Sequence, residues 1–145
     1  MKRQLFIAAI AWSMALVTHA AQTNEPQSCP SIASLKQTGI QHIKKVGGLW
    51  FAWSNSQFNT QHQWLFGLFV LDGNTESEAM ESAAKTLNNL SVETDKPELD
   101  KERWGCFYTS GDSIGVTLTP PLPMDVASSL LNLRYQRSFL KKQIQ

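Results

Sequence analysis

One stretch of this chain, Leu49 to Leu71 (LWFAWSNSQFNTQHQWLFGLFVL), constrains what can be built around it more than any other. It holds Trp50, Trp53 and Trp64 with Phe51, Phe58, Phe66 and Phe69, so one short segment carries most of the aromatic surface a core can bury. The polar run Asn55 to Gln63 in its middle reads as a turn region, which predicts two antiparallel strands folded back near Asn59 and Thr60. With the reversal at 59–61, Trp50, Ala52, Ser54, Ser56 and Phe58 share a face with His62, Trp64, Phe66, Leu68 and Val70. Leu49, Phe51 and Trp53 then join Leu65, Gly67, Phe69 and Leu71 on the other face. In that register Trp53 stands across from Gly67, where a large ring covers bare backbone. Both faces are apolar at the open end, so the strand pair must be covered on two sides, by helices or by a partner.

The N-terminus indicates the compartment. Lys2 and Arg3, the apolar run Leu5 to Val17 and the small residues Thr18, Ala20 and Ala21 follow the order of a secretory signal peptide. The run is too short and wrongly flanked for a membrane-spanning helix. Cleavage is expected after Ala20, leaving residues 1–20 as signal peptide and 21–28 as a polar, disordered N-terminus. A lipoprotein carries its cysteine at the cleavage point, whereas Cys29 follows the polar stretch Gln22 to Ser28. The expected product is therefore soluble and exported, either secreted or periplasmic, with no stable membrane insertion after cleavage. Without Lys2 and Arg3, eleven basic residues face twelve acidic ones, so no overall field draws the chain to nucleic acid or to an anionic membrane. The remaining length, about 125 residues, fits one domain with a single core. Cys29 and Cys106 are the two cysteines, and in an oxidising compartment such a pair most often forms one bridge, a reactive thiol being the alternative.

Along the chain, Ile32 and Leu35 share a helical face and predict a short helix from Pro30 to Gln37, with Pro30 in its first turn. Ile40 to Val46 reads as a strand ending at Gly47-Gly48, a pair suited to a tight hairpin turn. After Asp72-Gly73, Asn74 or Thr75 caps a helix over 75–90, with Ala79, Met80, Ala83, Ala84, Leu87 and Leu90 at helical spacing. Ser91 to Arg103 reads as a charged, solvated loop. Trp104–Thr109 and Ser113–Thr119 make a second hairpin in which Ile114, Val116 and Leu118 alternate inward. Residues 123–145 are expected to hold an amphipathic helix, Met124 to Leu140, with Val126, Leu130 and Leu133 on one stripe. Arg134, Arg137, Lys141 and Lys142 form its basic end, and it packs on the domain or extends from it, where it offers a further docking surface for a partner or an anionic membrane. The fold class is α+β, with residues 29–122 forming an antiparallel sheet of about five strands packed by two or three helices.

Chemistry-bearing patterns are sparse. Past the signal region the histidines are His42 and His62, and no HxxxH, HxH or CxxC occurs, so no metal site is assigned. No GxSxG elbow and no phosphate loop is present, so neither catalytic residues nor a cofactor is assigned. Trp50, Trp53, Trp64 and Trp104 have two readings: filling the core, which the size of the domain favours, and lining a sugar or peptide surface as aromatic anchors. The candidate binding set is Trp50, Trp53, Trp64 and His62. The expected function is that of a non-enzymatic binding or effector-type module recognising an envelope or host protein or glycan. A small secreted hydrolase using His62 and an acid brought near by folding is the alternative.

Several of these residues fall into one further pattern. Cys29-Pro30, Gly48 before Trp50, Trp64-x-Phe66, an alanine-rich helix, and Trp104-Gly105-Cys106-Phe107-Tyr108 followed by Thr119-Pro120-Pro121 resemble the small exported proteins of unknown function found in Legionella-type bacteria. The resemblance spans about Cys29 to Pro121. It implies a secreted, disulfide-linked domain in a virulence-associated bacterial setting. Its motifs are structural, so it brings no active site.

Overall fold

The structure, a computed structural model, describes residues 25–92, 95–111 and 113–123. The expected signal peptide and the expected C-terminal amphipathic helix lie outside the described residues. In chain order the elements are α1 (Ile32–Thr38), β1 (His42–Val46), β2 (Leu49–Ser56), β3 (Trp64–Val70), α2 (Glu76–Asn88), β4 (Ser91–Val92), β5 (Glu98–Asp100), β6 (Arg103–Ser110) and β7 (Ser113–Thr119). They form an α+β domain with a seven-stranded sheet in the order β1-β2-β3-β7-β6-β4, and β5 also pairs with β6. Every pairing is antiparallel.

The central hairpin has the register its sequence predicts, with Trp53 opposite Gly67. Gly47 and Gly48, at φ 55° and 86°, close the β1–β2 hairpin, because both central residues of such a turn need positive φ. The sheet exceeds the expected five strands by β4 and β5, which lie in the stretch read as a charged loop. Their side chains are exposed, so no apolar alternation marks them. They pair through the backbone with β6, where they satisfy N–H and C=O groups that would otherwise stand open along its edge.

Each face of the sheet carries its own apolar cluster. On the first, Ala52, Trp64, Phe66, Leu68 and Tyr108 pack against Leu35 of α1 and Ala83 and Leu87 of α2. On the second, Phe51, Phe69, Val116 and Leu118 are buried, with Trp53, Ile114 and Leu122 against them. The helix α2 starts at a capping box in which Thr75 accepts from the Glu78 backbone and the Glu78 carboxylate reaches back to the Thr75 N–H. That arrangement satisfies donors the first turn leaves open. Just before it, Trp50 Nε1 donates to the Gly73 carbonyl at 2.8 Å, which ties the helix start to β2. Among the described residues no helix is long and apolar enough to cross a membrane.

Pro30 is not in the first helical turn. Ser31 is the N-cap of α1, accepting from the Ser34 N–H, and Pro30 precedes it as a buried residue whose carbonyl accepts from the Tyr108 hydroxyl at 2.7 Å. One residue earlier, Cys29 is bridged to Cys106 across 77 positions of sequence. Cys106 and Tyr108 alternate along β6 onto the same face, and both are fully buried. Burial pushes the Tyr108 phenol from its ordinary 10.0 up to about 12. Thr117 faces it closely enough to oppose the rise, yet its own buried hydroxyl lacks hydrogen-bond geometry.

Two outcomes follow for chemical denaturation. A Cys29→Ala, Cys106→Ala variant loses about 4 kcal/mol, because the bridge closes a long loop in the unfolded chain. Gly73→Ala loses about 3 kcal/mol, since a Cβ there, at φ +123°, meets the Ala79 backbone at 2.6 Å in a region side chains rarely adopt.

Candidate functional site

The turn joining β2 to β3 is held in an unusual shape by what lies beneath it. Phe58 and Asn59 have φ of 46° and 60°, a conformation that costs a bulky residue free energy unless its surroundings hold it there. Phe58 is held by burial, 3% exposed and edge-on to Phe66 at 6.5 Å. The Thr60 hydroxyl then links the turn to the strand. It donates to the Gln57 carbonyl at 2.8 Å and accepts from Trp64 Nε1 at 2.9 Å and from the His62 N–H at 3.2 Å. As a result Asn59 and Gln61 face solvent while Thr60 and His62 are half-buried.

Opposite this turn runs the polypeptide that precedes α1. Pro26 and Pro30 are buried there, and the bridge at Cys29 fixes the segment to β6. Of the stretch expected to be disordered, residues 25–28 are described, and Glu25, Gln27 and Ser28 are exposed. Between the two walls lies a cleft of about 310 Å³ lined by Glu25, Gln27, Ser28, Asn59, Thr60, Gln61 and His62. Its lining combines three amides, two hydroxyls, an imidazole and one carboxylate. An amide both donates and accepts, as an alcohol does. A set of this kind matches a ligand rich in hydroxyl groups, and it lacks the apolar walls on which most small-molecule sites rely.

The four residues singled out from sequence do not converge. Trp64 is 0% exposed and belongs to the core, so it offers no surface to a ligand. Trp50 and Trp53 lie three residues apart on β2 and so point to opposite faces. Trp50 is half-buried, with its N–H on Gly73 and Lys45 Nζ 5.6 Å from its ring centroid. Trp53 is half-buried between Phe51 and His42, at centroid separations of 5.6 Å and 5.1 Å. Trp104 is half-buried on β6, paired with Thr119 and Leu99. His62 alone of the four lines the cleft.

The other lining residues escape a sequence reading because nothing local marks them. Glu25, Gln27 and Ser28 look like a solvated leader, and the Cys29–Cys106 bridge and the Tyr108–Pro30 hydrogen bond hold the residues that follow them to β6. Among the described residues no group of three or more His, Cys, Asp or Glu side chains could hold a metal ion. Comparison of the chain with known protein families, characterised proteins and solved structures finds no match. The chemistry of the cleft therefore rests on its own geometry.

Thr60→Val keeps the side-chain shape but removes its hydroxyl, stripping the indole N–H of Trp64 of its acceptor. The variant is expected to lose about 2 kcal/mol and to shift the amide NMR signals of residues 57–63 while leaving those of β6 and β7 in place.

Proposed function

We propose that this protein is an exported binding module, without catalytic activity, that holds a hydroxyl-rich ligand in the cleft between residues 25–28 and 59–62. A glycan of the bacterial envelope or of a host fits that description, and a protein surface bearing such groups is the wider class. The observation that carries this reading is the cleft lining, in which amides and hydroxyls predominate and a single carboxylate supplies the formal charge. Export rests on the order of charged, apolar and small residues at the N-terminus. The disulfide suits an oxidising compartment, and the likeness to small exported proteins of Legionella-type bacteria fits the same setting.

A second reading has an observation of its own. Glu25 and His62 line the same cleft, and a carboxylate near an imidazole is a pair that acid–base hydrolysis can use. The two readings separate by turnover: a binding module leaves the ligand intact, and a hydrolase does not.

The test is a titration of the ¹⁵N-labelled mature protein with a panel of envelope and host oligosaccharides. Shifts confined to residues 25–28 and 59–62 are expected. Gln61→Ala and His62→Ala should each weaken binding about tenfold, the value of one good polar contact, with the melting temperature unchanged. Silence across the panel would remove the glycan reading. Cleavage of a saccharide that His62→Ala abolishes would put the hydrolase in its place. Export is checked by the intact mass of the protein recovered from periplasm and from medium, where a chain beginning at Ala21 with its bridge formed is expected.

A further inference from the structure

With His62 counted neutral, the cleft between residues 25–28 and 59–62 carries formal charge at one place. Its walls belong to two stretches of sequence, Ala21 to Leu35 and Val46 to Leu71, and Glu25 is the one Asp, Glu, Lys or Arg in either of them. Charged residues resume just outside, at Lys36, at Lys44 and Lys45, and at Asp72. Glu25 is exposed, and among the described residues no lysine or arginine lines the cleft beside it.

The hydrogen-bonding capacity of the lining favours the same kind of ligand. Thr60 lines the cleft with its hydroxyl already engaged: it donates to the Gln57 carbonyl and accepts from Trp64 Nε1 and the His62 N–H, which uses its proton and both lone pairs. That leaves Glu25, Gln27, Ser28, Asn59, Gln61 and His62 for a ligand. An amide donates as many hydrogen bonds as it accepts, whereas an ionised carboxylate only accepts. An alcohol brings more lone pairs than protons, so hydroxyls match the amides better than they match Glu25. An ammonium has three donors and no acceptor, and a charge-assisted hydrogen bond is shorter and stronger than a neutral one.

We infer that the ligand of this cleft is an amino sugar, its hydroxyls on the amides of Gln27, Asn59 and Gln61 and its protonated amine on Glu25, a reading that rests on the cleft being the binding site. The amides hold the ring. The carboxylate then separates an amine from the acetamide or hydroxyl that occupies the same carbon in neutral sugars. Because Glu25 is exposed, water and salt screen its charge, so the selectivity is modest and depends on ionic strength.

The experiment uses the full mature chain and three β-1,4-linked tetrasaccharides, of glucose and of its C2 derivatives, in which C2 carries a hydroxyl, an acetamide or a protonated amine. Dissociation constants are read at low salt from the ¹⁵N shifts of residues 25–28 and 59–62. The amine form should bind about fivefold tighter than the other two, the upper range for an exposed ion pair, and added sodium chloride should erase the difference. Glu25→Gln should bring the amine form to the level of the acetamide form. Glu76→Gln, at an exposed acid on α2 outside the cleft, should leave the preference in place. Equal binding of all three forms overturns the inference and leaves the cleft as a neutral sugar site. A preference that survives Glu25→Gln also overturns it, since the amine is then held elsewhere. Absence of shifts at both walls with every form removes the cleft reading, and the inference falls with it.

Discussion

Two links made from adjacent inward positions of one strand hold the segment before α1 against the sheet. Cys106 bridges to Cys29 and Tyr108 donates to Pro30, so β6 holds the chain before α1 at consecutive residues. The sheet hairpins are built from neighbours in sequence and need no such help. By contrast, the approach to α1 arrives from far away in sequence, and the helix itself brings only Leu35 and Ser34 into full burial. A bridge over a long loop acts mainly on the unfolded chain, while the buried hydrogen bond specifies the native position, since an unmade one at Pro30 would leave a desolvated carbonyl. Through these two links α1 is seated on the first cluster and residues 25–28 become a wall.

The division of labour between apolar and polar residues follows from that arrangement. Aromatic rings run across β1, β2 and β3 on the second face, from His42 through Trp53 and Phe51 to Phe69, with centroid separations of 5.0 to 5.6 Å. They serve cohesion, as Trp64 does on the first face. Polar side chains are left to the end of the central hairpin, where the strands have parted and amide and hydroxyl groups line a cleft. The same Trp64 whose ring fills the core orders that end, because its N–H anchors the Thr60 hydroxyl.

Much of this was legible in the residues alone. The alternation in Leu49–Leu71 specifies the hairpin and its Trp53–Gly67 pairing, a cap at Asn74 or Thr75 announces the start of α2, and the two lone cysteines pair. What was not legible depends on contacts between distant segments. β4 and β5 are backbone pairings of exposed residues, which leave no apolar period to read. Pro30 suits a first helical turn by its own geometry, yet Ser31 is the better cap and Tyr108 claims the Pro30 carbonyl. The cleft was hidden for the same reason: of its seven lining residues only His62 stands out, and its partners are ordinary polar side chains until the links at Cys29 and Pro30 bring them opposite.

The link through Tyr108 can be tested directly by spectrophotometric titration of the phenol, using a Tyr135→Phe protein so that Tyr108 is the single tyrosine. Its folded pKa lies above the unfolded one, so the folded state keeps the proton longer. The stability it contributes is intact below pH 10 and is lost as pH rises from there through about 12. The phenol is expected to ionise near pH 12, together with a cooperative loss of tertiary structure. Reversible ionisation near pH 10 with the fold intact would contradict it, because a phenol that titrates like one in water is not buried against Pro30.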